Sequence, residues 1–350
     1  MRIRWATSIS RQSAGAVAAL LGLALLAAGC AGGPSDIPGQ RTIGGDGTRG
    51  TLGLFAYAVP KIGFDEVIPE FAETPEGEGV AFLQSFGASA DQSRKVVNGA
   101  PADIVNFSVE PDVTRLVDAG LVSPDWNEGE FGGIPFGSMV TFVVREGNPL
   151  GIETWEDLVR PGIEVVTPNP FSSGSAKWNL LAPYAVMSRG GEDPQRGLEY
   201  VRTLIQDHIK IQPGSSREAT EAFLQGRGDV LLTYENEAIF LERMGDPVEF
   251  VTPDETLRIE NPMAIIQNSP NREMAEDFLA FQFSPEGQRT WARAGFRPVD
   301  PAIRAEFDDV FPQPETVWGV DDFGGWKAVN TELFDPDNGA ISTLYYEALR

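Results

Sequence analysis

The stretch Val80-Ala-Phe-Leu-Gln-Ser-Phe-Gly-Ala-Ser-Ala-Asp-Gln92 decides the fold. Its first part, Val80 to Ser85, is a short apolar run suited to a buried strand, and the chain then turns through Gly87 and Ser89 into a helix reading from Gln92 to Val97. The same succession flanks it. Leu52 to Tyr57 reads as a strand and Phe64 to Phe71 as helix; Ala102 to Phe107 is again a strand, and Val113 to Ala119 a helix. Repeated β-α-β units with short connections predict a parallel sheet covered by helices on both faces.

A second series begins after a strand from Met139 to Arg145. It runs through helix Trp155 to Leu158, strand Ile163 to Thr167, and helices Ala176 to Ser188 and Gly197 to Gln206. Strand Ile209 to Ile211, helix Glu218 to Leu224, strand Val230 to Tyr234 and helix Ala238 to Met244 complete it. Leu257 to Ile266 reads as extended, and Glu273 to Phe283 and Gly287 to Ala294 as helical, which suggests a return to the first lobe. The expected class is α/β: two doubly wound α/β lobes with a ligand cleft between them, beyond the carboxyl ends of the strands. The expected organisation is a leader over 1–29, a tether over 30–50, lobe one over 51–138, lobe two over 139–252, and a return to lobe one with C-terminal helices over 253–350.

The leader has Arg2, Arg4 and Arg11, then an apolar run from Ala14 to Ala28, and ends in Ala27-Ala28-Gly29-Cys30. This reads as a secretory signal peptide, with a run shorter than the ~20 residues of a permanent span. The Leu26-Ala-Ala-Gly-Cys30 ending resembles a bacterial lipobox, so Cys30, the one cysteine, is the expected lipid anchor to the cell membrane. Residues 31 to 50, rich in Gly with little apolar surface, read as a flexible tether, with folding expected from Thr51.

The 350 residues carry 27 Lys and Arg against 51 Asp and Glu, a formal charge of −24, which excludes the clustered cations of a nucleic-acid binder. One Cys and one His exclude disulfide frameworks and Cys/His metal clusters; no metal and no cofactor are expected. Net acidity does not exclude a small anionic ligand, because local dipoles dominate inside a closed site.

Three segments that follow predicted strands carry such dipoles. They are Ser85-Phe-Gly-Ala-Ser89-Ala-Asp-Gln92, Asn169-Pro-Phe-Ser-Ser173-Gly174-Ser175-Ala176 and Gln212-Pro-Gly-Ser215-Ser216-Arg-Glu218. Each opens a helix, where unpaired N–H groups and the positive dipole end favour an anion and Ser hydroxyls add donors. Each Ser is also an ordinary N-cap, and Ser89 with Gln92 and Ser215 with Glu218 fit the capping box. Ser172-Ser-Gly-Ser175 offers more donors than a cap requires.

Several of these segments resemble the sulfate-binding proteins of ABC transporters: Gln84-Ser-Phe-Gly-Ala-Ser89, Val165-Val-Thr-Pro-Asn-Pro170, Ser172-Ser-Gly-Ser-Ala-Lys-Trp-Asn179, Tyr234-Glu-Asn-Glu-Ala238 and Phe323-Gly-Gly-Trp326. The resemblance runs from about Leu52 to Tyr346. It implies a type II periplasmic binding-protein fold and a dehydrated sulfate held by neutral donors. It also implies ABC permease subunits as partners, an extracytoplasmic place, a monomer and no catalysis. Carried over by motif, Ser89 offers its hydroxyl and an amide, Ser173, Gly174 and Ser175 offer helix-start amides, and Ser215 an amide. Tyr234 stands where the family has a donor Trp. Tyr57-Ala-Val-Pro60 departs from the family's Tyr-Asp-Pro.

Thiosulfate and molybdate are the alternative oxyanions, and a hydrolase using Ser175 and Lys177 is an alternative of another class. His208 reads as a surface residue, Asp335 to Gly339 and Arg227-Gly-Asp229 as turns, and Tyr345-Tyr346 as one packed and one exposed ring.

Overall fold

The computed structural model describes residues 42–348; the expected leader, Cys30 as its expected lipid anchor, and most of the expected tether lie outside them. The first sheet gathers β1 (Thr42–Gly44), β2 (Gly50–Tyr57), β3 (Val80–Gly87) and β4 (Ile104–Asn106). Between and after them come α1 (Lys61–Ala72), α2 (Ser89–Val97) and α3 (Glu110–Asp118). Strand β2 lies between β3 and β4 and is parallel to both, as the β-α-β reading requires. Order starts earlier than Thr51, however, because β1 pairs antiparallel with β3, matching Ile43 with Phe82. Ile43 packs on the core, and β1 covers a sheet edge that otherwise exposes unpaired backbone.

The second sheet starts with β5 (Phe136–Arg145), buried along nearly its whole length. After it come β6 (Val165–Val166), α4 (Gly174–Met187), α5 (Pro194–Thr203), β7 (Ile209–Ile211) and α6 (Ser216–Leu224). The chain continues through β8 (Val230–Tyr234), α7 (Glu235–Met244), β9 (Val248–Val251) and β10 (Glu255–Glu260). Strands β6, β7 and β8 are parallel. The expectation that lobe two repeats the parallel pattern of lobe one needs correcting at β5, which is antiparallel to β8, β9 and β10. A strand buried on both faces reads as an unbroken apolar run, which carries no information on its neighbours' direction.

Next, β11 (Met263–Ile265) pairs with β4 in the first sheet, and α8 (Arg272–Phe283) and α9 (Pro285–Arg293) pack on α1. Phe64 and Trp291 meet edge to face there, as do Phe71 and Phe278. The chain then leaves lobe one again. Strand β12 (Arg297–Pro298) pairs with β5, α10 (Pro301–Ala305) follows, and β13 (Thr316–Trp318) runs parallel to β10. Finally come α11 (Gly325–Val329) and α12 (Ala340–Ala348), the latter packed on α5. The segment 253–350 is therefore shared: β11, α8 and α9 join the first sheet, while β10, β12, β13 and α12 join the second. Three passages link the lobes, before β5, between β10 and β11, and between α9 and β12. One apolar cluster runs through both lobes, from Phe64 and Phe278 to Phe142, Trp155 and Leu181.

Candidate functional site

Strands β2 and β3 end side by side, with Tyr57 opposite Gly87, and each chain end turns directly into a helix. Those two turns face the starts of α4 and α6 across a small cavity. Lobe one supplies Tyr57, Ala58 and Val59 before α1, and Gly87, Ala88 and Ser89 at α2; lobe two supplies Ser173 and Ser175 at α4, and Ser215 and Ser216 at α6. Four helix starts thus meet where three were expected. No charged side chain is among these lining residues. The cavity volume is about 10 Å³. With the radius of one water molecule added all round, that is a spherical space of roughly 2.7 Å radius, the scale of one small tetrahedral ion.

Backbone donors are left over at each start. In α2 the first helical bond is from the Gln92 amide to Ala88, which leaves the Ser89 and Ala90 amides without intrahelical partners. In α4 the Ser173 amide is bound to Asn169 and the Ala176 amide to Ser173, so Gly174 and Ser175 keep theirs. In α6 the Ser215 hydroxyl caps the Glu218 amide at 3.3 Å, with Ser216 ahead of it. The cap reading of Ser215 therefore holds beside the ligand reading. The two lobe-two starts are tied together by the Asn169 amide donating to Pro213 O at 2.8 Å and the Ser172 hydroxyl donating to Gly214 O at 2.7 Å. Two pinned loops keep their amides aimed without further reorganisation.

The Ser89 hydroxyl is engaged elsewhere than expected. It donates to Asp112 Oδ2 at 2.6 Å and accepts the Ser108 amide at 3.0 Å, so its contribution at the cavity is its backbone. Asp112 is buried behind it and is held on its other oxygen by Arg115 Nη1 at 2.8 Å.

Gly174 and Tyr234 are not among the lining residues; both meet Ser108. A Cβ on Gly174 would stand 2.8 Å from the Ser108 side chain, so only glycine lets α4 approach so closely. The Tyr234 hydroxyl lies 2.8 Å from Ser108 Oγ, and burial pushes its phenol well above the usual range. It is a neutral group next to the cavity wall.

Six lining residues were not among the expected ligands, and two of them, Tyr57 and Ser216, carry hydroxyls. Both hydroxyls are buried without a hydrogen-bond partner among the described residues, which is rare and costly in a folded protein. The available signals were Tyr57 at the carboxyl end of a strand and the doubled Ser215-Ser216. Burial, followed by Tyr234 and Glu237, raises the Tyr57 phenol well above its usual value.

The Ser175 and Lys177 dyad is not assembled. Lys177 Nζ donates to Asn330 Oδ1 at 2.7 Å, on a cleft of about 740 Å³ bordered by Gly174, and burial lowers its pKa against the pull of Asp112. His208 is buried rather than at the surface, its Nδ1 2.9 Å from Ile163 O, because Leu204 and Ile205 carry its turn into the core. Asp335 forms the expected turn, its Oδ1 accepting the Asp337 and Asn338 amides. Tyr345 is buried and Tyr346 is exposed, as the sequence suggests. Among the described residues, no cluster of three or more His, Cys, Asp or Glu is placed to hold a metal ion.

Two lobes closing helix starts over a neutral, ion-sized cavity define a solute-capturing protein. The chain matches the family of bacterial extracellular solute-binding proteins over residues 52–297, and it belongs to that family. It is 36% identical to the sulfate-binding protein of Synechococcus elongatus, across 84% of this chain and 87% of the relative. Identity to the thiosulfate-binding protein of Pseudomonas aeruginosa is 32%, across 83% of this chain and 90% of that one. The solved structure of the sulfate-binding protein SubI from Mycobacterium tuberculosis is 57% identical, superposes with a TM-score of 0.80, and matches 81% of this chain and 99% of its own.

Proposed function

We propose that this protein captures sulfate outside the cytoplasm and delivers it to an ABC importer, as a binding protein and not an enzyme. The observation that carries the reading is the meeting of four helix starts on one cavity without a charged side chain. The relatives named for sulfate and thiosulfate support the same class of ligand.

In this reading the amides of Ser89, Ser175 and Ser216 and the hydroxyls at Ser173, Ser175 and Ser215 replace the hydration shell of the dianion, and Gly174 behind them lets α4 come close enough to Ser108 for the cavity to form. Sulfate only accepts hydrogen bonds, whereas the proton of hydrogen phosphate needs an acceptor, and no carboxylate lines the wall. A buried proton without a partner costs about 1–3 kcal/mol, enough for a roughly tenfold to hundredfold preference. Distant carboxylates of the acidic body are screened beyond about 10 Å, while the amides act at contact. Cys30 carries the lipid anchor, and the closed pair of lobes presents the surface that the permease reads.

Calorimetry of the soluble domain with sulfate, thiosulfate, molybdate and phosphate tests the reading. Tight sulfate binding with phosphate at least tenfold weaker is the expected result. A carboxylate ligand or phosphate bound in preference would overturn it.

A further inference from the structure

A second cavity, of about 520 Å³, lies where the three passages between the lobes meet; its walls include residues 137–139, 258–260 and 297–299. That volume is in the range of small-molecule sites, and far larger than the ion-sized cavity between the helix starts. Three arginines of this acidic protein line it: Arg258, Arg297 and Arg304.

Their internal partners leave donors over. Arg297 forms a two-point pair with the buried Glu235 at 2.6 and 2.7 Å, and Arg258 Nε meets Glu260 at 2.9 Å. Arg304 has no carboxylate partner among the described residues; its Nε and Nη2 donate to Pro298 O and Val299 O at 3.1 and 3.3 Å. Nη1 of Arg304 and both Nη atoms of Arg258 make no hydrogen bond among those residues. Glu260, already engaged by Arg258, is the one carboxylate on the wall. Burial, then the neighbouring Arg297 and Arg258, lower the pKa of Arg304, so it sits in a positive field that Asp308 only partly offsets. Met139, Pro298 and Val317 give the rest of the wall an apolar character.

We propose that this hinge cavity is a second anion site, for a small organic acid whose carboxylate or sulfonate meets Arg258 and Arg304 and whose apolar body lies against Met139 and Val317. The size and the mixed lining exclude bare sulfate as the best fit, because one inorganic ion would leave most of the space and the apolar wall unused. A ligand here touches all three passages. Where its contacts differ between open and closed lobes, it and sulfate would shift each other's affinity by the same factor. The site stands independently of which oxyanion fills the helix-start cavity.

The test uses benzoate and benzenesulfonate as probes and benzamide as the neutral control, titrated by calorimetry and ligand-observed NMR into the soluble domain and its Arg304→Gln and Arg258→Gln variants. Both side chains are partly exposed at the cavity, so circular dichroism and thermal melts check the fold of each variant, and sulfate titration of both should match the parent. Expected are saturable one-to-one binding of both anionic probes, no binding of benzamide, and a roughly fivefold or greater loss in each variant. Benzamide binding as well as benzoate, probe affinity unchanged in both variants, or no probe binding at all would each overturn the proposal.

Discussion

The Tyr234 hydroxyl and Ser108 Oγ lie 2.8 Å apart, joining the end of β8 in lobe two to the loop before α3 in lobe one. Ser108 O also accepts Trp178 Nε1 at 2.7 Å and Asn261 Nδ2 at 3.0 Å. One residue of lobe one is thus bound to α4, to β8 and to a passage between the lobes, and an opening that draws α4 and β8 away from lobe one has to break the bonds to Trp178 and Tyr234.

Tyr234→Phe removes one of them and keeps the ring packed 6.4 Å from Tyr57. A net hydrogen bond contributes about 1 kcal/mol, so sulfate affinity should fall roughly fivefold through a less favourable closed state. Calorimetry measures the affinity, and small-angle scattering should show the sulfate-free variant more open. An affinity equal to that of the parent rejects any role for Tyr234 in closure.

Gly174→Ala places a methyl group 2.8 Å from both Cβ and Oγ of Ser108. The lobes cannot close fully, and a loss of sulfate affinity above roughly tenfold is expected, since misplacement of a pre-aimed amide weakens a contact to a charged group of about 1.5–3 kcal/mol. The double variant with Ser108→Gly removes the atoms that are struck. It should recover part of the affinity; failure to recover any would place the defect in α4 itself.

The contrast between these residues shows what was legible in the sequence. Ser89, Ser173, Ser175 and Ser215 were readable because a strand, a small-residue turn and a helix follow each other locally, and the fold brings those turns to one cavity. The direction of β5 was not readable, since Phe136 to Val144 shows no alternation. Nor was the partner of the Ser89 hydroxyl, because Asp112 is 23 positions away and meets it only through the pairing of β3 and β4 around β2. Tyr57 and Ser216 were concealed by their ordinary roles as core aromatic and second residue of a cap.

Tyr57→Phe and Ser216→Ala separate binding from stability. Each hydroxyl is buried without a partner among the described residues, so its removal should leave the melting temperature of the sulfate-free protein unchanged or slightly raised. If the hydroxyls meet the ion, each removal weakens sulfate by about 1.5–3 kcal/mol, the worth of a bond to a charged acceptor. Thermal melts and titrations on the same samples decide it: lowered stability together with intact affinity would assign both residues to the core alone.

Glu237 sets a pH dependence of stability. It is buried on α7, where its Oε1 accepts the Thr220 hydroxyl at 3.0 Å. Burial raises its pKa above the ordinary 4.5, Glu221 adds to the rise, and Arg217 and Thr220 oppose it. The folded protein therefore keeps a proton that the unfolded chain has already released, over a window that opens near 4.5 and extends upward. Across that window the unfolded state binds fewer protons, so stability falls as pH rises and levels off above the folded-state value. Glu237→Gln keeps an acceptor for Thr220 and cannot ionise. Its melting temperature should match the wild type near pH 4, exceed it increasingly as the pH rises above the ordinary carboxyl range, and hold a constant excess once the folded-state carboxyl has ionised. Parallel curves for the two proteins across that range would mean that Glu237 titrates alike in the folded and unfolded chains, and that the burial described here carries no electrostatic cost.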